Sequence, residues 1–158
     1  RKVASALNET LGARMTRSLR DSGPGGAMSV CAYQAQALAD EVEMNEGVKV
    51  KRTSLKLRNP GNAPDAYEKD LLARLSARAR EGDLPEESLD ERRENGRRVY
   101  RYAKPLLVGP ICIACHGRPE EISEEVRKML ESRYPEDAAT GYNVGDFRGI
   151  VSVVIPAE

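Results

Sequence analysis

The residues of this chain best placed to do chemistry lie in the stretch CIACH, positions 112–116. This C-x-x-C-H pattern is typical of covalent attachment of a c-type haem. Two thiols at this spacing can both reach one edge of a porphyrin and form thioethers with its vinyl groups, and the adjacent imidazole can bind the iron. His116 is the only histidine in the sequence, so no other imidazole competes for this role. We therefore predict one covalent haem c, attached to Cys112 and Cys115 and ligated by His116.

Two other uses of the cysteines are weaker. A thioredoxin-like C-x-x-C motif is expected in a βαβ context and without a histidine directly after it. A structural zinc site is nominally available, because the chain holds three cysteines and one histidine. Such sites usually separate two pairs of ligands, however, whereas Cys115 and His116 are neighbours that cannot easily reach one tetrahedral ion.

Composition limits the function classes. The 158 residues are enough for one domain, which we take as residues 1–158. There are 25 basic and 25 acidic residues, so charge gives no reason to expect binding to nucleic acid or to a membrane surface. We also do not expect an enzyme, because a peroxidase would need a distal acid–base group and the one histidine is already used.

The motif also bears on location. No apolar stretch is long enough to cross a membrane, and no signal peptide is visible, so we interpret Arg1 as the start of a mature or trimmed chain. Covalent haem attachment normally takes place outside the cytoplasm, and we therefore expect a periplasmic or otherwise exported protein. If two cysteines form thioethers, Cys31 has no disulfide partner in that oxidising compartment and needs another explanation.

The second axial ligand of the iron remains open from the residues alone. Methionine is the usual partner of histidine in cytochromes c, and the chain offers Met15, Met28, Met44 and Met129. Each is equally compatible with core packing, and Cys31 with a buried inert thiol. Ligation by methionine would indicate an ordinary electron-transfer cytochrome, and ligation by Cys31 a low-potential haem.

The elements that must position these residues form an α+β pattern. Apolar residues at every fourth position predict an N-terminal helix over residues 1–21, which we interpret as a docking or linker helix and a candidate homodimer contact. Residues 83–96 are charged and poor in apolar groups, and we expect an exposed excursion there. Pro105 predicts a bulge or an edge in its strand. The remaining predicted elements are helices at about 27–44, 65–82 and 123–134 and strands at 48–57, 97–108 and 147–156.

These residues resemble one family along nearly the whole chain, namely single-haem c-type domains with a PAS-like fold, long catalogued as a domain of unknown function. The resemblance is carried by Cys31 in the second helix, KRTSLKLRNP at 51–60, NAP at 62–64 with Tyr67-Glu68, YAKPL at 102–106, the haem motif with Gly117, and GY at 141–142 with GDFRG at 145–149.

The resemblance implies an antiparallel PAS-like sheet with flanking helices and a long N-terminal helix pair. It also implies that the second axial ligand is a cysteine, at the position of Cys31. Members occur as exported proteins and as sensor regions of membrane histidine kinases, so a redox or small-gas sensor, or a low-potential electron carrier with an unknown partner, is expected. We expect the early helical turn at Cys31 to favour its thiolate, and loss of Cys31 from the iron to open a site for CO or NO.

The haem propionates require positively charged or polar partners. Arg52, Arg58, Arg148 and Tyr142 are the candidates, because they lie in the matching stretches; Lys56 is a further one. Arg52 and Arg58 are the first choices, because they flank one predicted strand. A solvated surface charge is an equally good interpretation of any single one of them.

Overall fold

Helices and one small sheet make up the computed structural model, which describes residues 1–157 apart from the side chain of Ala32. The helices are α1 (Lys2–Ser29), α2 (Ala35–Glu46), α3 (Ala66–Arg80), α4 (Ile113–His116) and α5 (Glu124–Arg133). The strands are β1 (Lys49–Thr53), β2 (Ser88–Glu94), β3 (Arg97–Leu107) and β4 (Phe147–Pro156). This arrangement confirms the predicted α+β class.

The four strands form an antiparallel sheet in the order β1-β4-β3-β2. Thr53 at the end of β1 pairs with Ile150 near the start of β4, and Leu107 at the end of β3 pairs with Phe147. The last residues of β1 and β3 therefore lie at the same end of the sheet. Because the C-x-x-C-H motif follows β3 directly, this end of the sheet holds the candidate site.

Alternating side chains give the sheet two covered faces. Tyr102 and Val151 point to the face covered by α1 and α2, where they pack with Leu7 and Leu38. Ala103 and Ile150, their chain neighbours, belong to the opposite cluster with the leucines of α3. A third apolar cluster joins α5 to Met28 of α1. The N-terminal helices are thus packed between the sheet and α5.

The N-terminal helix pair is more continuous than predicted. Helical backbone breaks only at Gly23 (φ 66°, ψ −168°), so the second helical segment starts at Pro24 rather than near residue 27. A π-helical turn, Val30–Gln34, then leads into α2. Leu7 and Leu11, the centre of the apolar stripe that predicted a docking helix, are almost completely buried in this chain's own core. Docking or dimerisation through α1 stays a prediction, but that stripe is not the free surface for it.

Residues 83–96, expected as an exposed excursion, are mostly exposed but include a strand that was not predicted. Ser88–Glu94 is strand β2, which pairs with β3 through a hairpin whose turn is Asn95-Gly96, both with positive φ. Asn-Gly is the preferred dipeptide of such two-residue turns. The strand was missed because an edge strand can carry charges on both faces, which hides the alternation of apolar residues.

Two further strand predictions changed in detail. The first strand ends at Thr53 rather than at residue 57. Pairing of β3 with β2 stops at Ala103, so Pro105 lies at an unpaired edge. A register shift follows between Leu106 and Leu107. Both the edge and the bulge that Pro105 predicted therefore occur. Within residues 1–157, every helix is too short or too polar to cross a membrane.

Candidate functional site

The cysteine–histidine motif occupies two consecutive short helical turns after β3. A 3₁₀ turn, Pro110–Cys112, passes into α4, and the Cys112 thiol accepts a hydrogen bond from the Gly109 amide at 3.3 Å. Gly117 ends the turn where a Cβ atom would lie only 2.7 Å from the carbonyl oxygen of Ile113. The close approach explains the glycine after the motif. These turns therefore place both thiols and the His116 imidazole on one short segment of the chain.

The ring of His116 is held in one tautomer. Its Nδ1 lies 2.6 Å from the carbonyl oxygen of Ala139, and because a carbonyl only accepts, Nδ1 must carry the proton. The Nε2 lone pair is therefore left for a metal, the arrangement usual for ligating histidines. Burial and the nearby guanidinium groups of Arg58 and Arg148 lower the pKa of His116 to about 3. The imidazole is neutral at ordinary pH and ready to donate its lone pair.

Cys31 lines the same cleft as His116. It lies in the π-helical turn, and such turns are frequent at functional sites because they redirect one side chain within a helix. A helix N-terminus was expected to stabilise the Cys31 thiolate, but the helical segment starts at Pro24, so Cys31 lies beyond its first turn. The dipole effect is confined to the first turn. Burial raises the pKa of the Cys31 thiol, and Arg52 and Arg58 only partly oppose it. Without a bound metal, Cys31 is a neutral thiol.

All three cysteines of the chain are free thiols of intermediate exposure. Burial raises the pKa of Cys115 to about 11, so this thiol is also neutral. Within residues 1–157, no three cysteine, histidine or carboxylate side chains are grouped so that they could share one metal ion. A four-ligand zinc site needs such a group. The alternative of a Cys₃His zinc site therefore has no support in the geometry.

The cleft lined by His116 and Cys31 has a cavity volume of about 120 Å³ and is partly open to solvent. Leu7, Ala35 and Leu106 supply part of an apolar wall, and Arg52, Arg58 and Arg148 supply charge. A cleft that combines apolar side chains with an imidazole, a thiol and several guanidinium groups has the chemistry to hold a flat apolar ring with anionic substituents.

Arg58, predicted as a propionate partner, is already engaged by other groups of this chain. Its guanidinium pairs with Asp137 at 3.0 Å, and both side chains are only 9% exposed. It also donates to the carbonyl oxygens of Cys115 at 2.5 Å and Ala139 at 3.3 Å. Asp137 in turn accepts from the Ala139 amide at 2.8 Å. Arg58 therefore fixes the loop that orients His116 onto the haem-motif helix, and most of its hydrogen-bonding capacity is already used.

Arg52 and Arg148 are better placed to bind an anion. Both line the cleft, and within residues 1–157 no carboxylate forms an ion pair with either. Arg148 donates to the Lys56 carbonyl at 3.1 Å, which holds the side chain in place while leaving other N–H groups free. Arg52 and Arg58, the two first choices made from the sequence, both line the cleft, and of these two only Arg58 forms an ion pair within residues 1–157.

Tyr142 is not among the residues that line the cleft. Its ring meets His116 edge-on, with 6.3 Å between ring centroids, and the Lys56 ammonium lies 4.4 Å from its centre. Its backbone amide donates to the His116 carbonyl at 3.0 Å. Tyr142 therefore packs against the imidazole proposed to bind the iron, and its direct contact with the cofactor stays a prediction.

Sequence reasoning missed Asp137 and did not distinguish Met15 from the other candidate methionines. Asp137 lies in an irregular loop after α5, where no periodic pattern marks it. Met15 was one of four equivalent methionines, and only the packing of α1 on the π-helical turn brings its sulfur to 3.3 Å from the Cys31 sulfur. No local sequence signal distinguishes either residue.

Comparison with known proteins agrees with the fold. The family model described as Tll0287-like matches residues 1–156. The crystal structure of the cyanobacterial heme-protein Tll0287 is similar, with a TM-score of 0.75 and 24% sequence identity over 98% of this chain and 92% of that one. No curated protein matches the sequence. Because the family model spans nearly the whole chain, the protein belongs to the Tll0287-like family.

Proposed function

We propose that this chain is an exported c-type haem protein that works as a low-potential, one-electron redox module. One haem would be attached to Cys112 and Cys115, with His116 and Cys31 as axial ligands. Family membership supports haem binding, because the similar solved structure is that of a heme-protein. The observation that carries the proposal is that His116 and Cys31, which are 85 positions apart in the chain, line one cleft.

Each residue of the cleft has a defined task in this proposal. The haem supplies exchange of one electron between ferric and ferrous iron. His116 offers the Nε2 lone pair because Ala139 holds its Nδ1 proton. Arg52 and Arg148 would neutralise the propionates, and the apolar side chains of the cleft would pack against the ring. The Gly109 amide already contacts Cys112, and this contact orients its sulfur for attachment.

The low potential follows from the charge of the proposed sixth ligand. Bound to the iron, Cys31 would be an anionic thiolate, and its charge would stabilise Fe(III) more than Fe(II). The same charge also makes ligation by Cys31 depend on the oxidation state. Because Cys31 belongs to the turn that joins α1 to α2, a change at the iron would act on the longest helical segment of the fold. This supports sensing of redox state in addition to electron transfer, with CO or NO as candidate ligands when Cys31 is released.

Two measurements on the exported protein test the proposal. Intact mass should exceed that of the polypeptide by one haem, and this increase should be absent in a C112A/C115A variant. The ferric spectra, optical and electron-spin, should show a low-spin iron with a thiolate ligand. In C31A these thiolate features should disappear while the haem mass stays. If C31A keeps the wild-type ferric spectra, Cys31 is not the ligand and the proposed origin of the low potential is wrong.

A further inference from the structure

A second sulfur atom lies directly beside the proposed ligand. The Met15 thioether on α1 accepts a hydrogen bond from the Cys31 thiol, with 3.3 Å between the sulfurs. Cys31 lines the cleft, and Met15 lies behind it, packed against the apolar cluster between the helices and the sheet. Two ligand types of opposite redox preference are therefore held side by side, one lining the cleft and one packed behind it.

The other methionines do not share this position. Met28 is buried in the cluster formed with α5, and Met129 packs against the same cluster. Met44 is 84% exposed near the end of α2. Met15 is thus distinguished from the others by its surroundings and not by its residue type.

We propose that Met15 is a second axial ligand, which replaces Cys31 when the iron is reduced. The inference rests on the proposed function, because it needs a haem bound by His116 in this cleft. It goes beyond that function by assigning a different sixth ligand to each oxidation state. His116 stays bound in both states, and the chain changes only the sulfur on the opposite side.

The exchange balances in atoms and charge. A one-electron donor, such as a protein redox partner, supplies the electron that converts Fe(III) to Fe(II). The bond between the iron and the Cys31 sulfur would break, and this sulfur would take one proton from a solvent water, which leaves as hydroxide. A lone pair of the Met15 sulfur then forms the new bond to iron. Oxidation by a one-electron acceptor reverses each step. The direction follows from charge, since an anionic thiolate favours Fe(III) and a neutral thioether favours Fe(II).

Both segments that carry these sulfurs are adaptable. Cys31 lies in a π-helical turn, a local departure from ordinary α-helical geometry. Methionine has an unbranched, flexible side chain that fits several arrangements. One turn before Met15, the Gly12 carbonyl accepts from the Thr16 hydroxyl at 2.9 Å, a contact that slightly destabilises and bends helices. The exchange needs a side-chain movement of the order of the separation between the two sulfurs, 3.3 Å.

The proposal predicts how the reduced protein differs from a gas sensor with an open site. Ferrous iron should remain six-coordinate and low-spin, because Met15 fills the position that Cys31 leaves. CO must then displace Met15 before it can bind. The protein would therefore report the redox state of its partner, through a changed contact between α1 and the π-helical turn, and respond only weakly to a diatomic gas.

The test is M15L in the haem-loaded protein, with M44L as the matched control. In M15L the ferric spectra should be unchanged, the ferrous iron should become five-coordinate and high-spin, and CO should bind faster by about tenfold or more. M44L should match the wild type in every respect. If the ferrous spectrum and the CO association rate of M15L equal those of the wild type, the ligand exchange is refuted.

A second measurement does not depend on the stability of a variant. In wild-type protein labelled with selenomethionine, iron-edge X-ray absorption should detect selenium at bonding distance in the ferrous state only. Selenium bound in neither state, or in both states, overturns the exchange. Failure of the proposed function is recognised separately, because it would remove the covalent haem or the ferric thiolate spectrum, which M15L leaves intact.

Discussion

Replacing Arg58 by methionine tests whether this arginine organises the site from within the protein. The R58M side chain keeps an apolar stem but cannot pair with Asp137 or bind the carbonyl oxygens of Cys115 and Ala139. Removing one partner of a buried ion pair costs about 3–5 kcal/mol, because the other charge is left uncompensated. Asp137 is only 9% exposed and would be that charge. We expect the free energy of unfolding to fall by about 3 kcal/mol or more.

Urea denaturation followed by circular dichroism measures this loss, and R52M is the matched control. Arg52 lines the same cleft but forms no ion pair within residues 1–157, so R52M should cost less than about 1 kcal/mol. In the double variant R58M/D137L part of the loss should be recovered, because a buried pair replaced by apolar groups is often close to neutral. A loss below about 1 kcal/mol in R58M, or no recovery in the double variant, would refute the proposed role of the pair.

Three other substitutions test separate parts of the structure. In R52L the haem reduction potential should fall by roughly 40–85 mV, which corresponds to about 1–2 kcal/mol of lost interaction between the positive guanidinium and the iron charge. An unchanged potential in a redox titration would show that Arg52 is not part of the haem site. G149A should lower the free energy of unfolding in urea by about 1–3 kcal/mol, because Gly149 has a φ of +155° and a Cβ there would lie 2.3 Å from a β1 carbonyl oxygen. The control is G12A, since a Cβ at that position meets nothing within 4 Å. Equal stabilities of the two variants would contradict this explanation. Burial raises the pKa of Asp65, but hydrogen bonds from the Glu68 amide and Arg101 outweigh this effect and lower the pKa below its ordinary value of 3.8. The stabilisation is therefore present above that value and is lost as the pH falls through the lower folded-state pKa. D65N should consequently flatten the acid limb of a curve of unfolding free energy against pH. An unchanged acid limb would contradict the lowered pKa of Asp65.

Much of the fold could be predicted from local patterns. The helix that starts after Asp65 has a complete capping box with Glu68, and Ser123 caps α5, so both helices were expected at nearly their observed bounds. Strand β4 is a long β-branched run and was expected over its observed range. Strand β2 was missed, because its charged sequence lacks the alternation that a half-buried strand shows. The Asn-Gly turn before β3 was the signal that could have found it.

The candidate site was predictable only in its residue types. The C-x-x-C-H motif predicts covalent haem attachment, and the family resemblance identifies Cys31 as the candidate second ligand. Spacing alone could not show that Arg58 is used by Asp137, since that pairing joins positions 79 residues apart. Nor could it separate Met15 from the other methionines, because that contact depends on how α1 packs against the π-helical turn. Contacts made between distant segments are what the sequence pattern leaves undetermined.

The most direct test of the account is a combined mass and ferric spectrum of the exported protein. We predict the mass of the chain plus one haem that survives denaturation, together with a low-spin ferric spectrum that shows a thiolate ligand and loses it in C31A. A chain with the mass of the bare polypeptide, or a haem that dissociates on denaturation, would contradict covalent attachment at Cys112 and Cys115 and with it the proposed function.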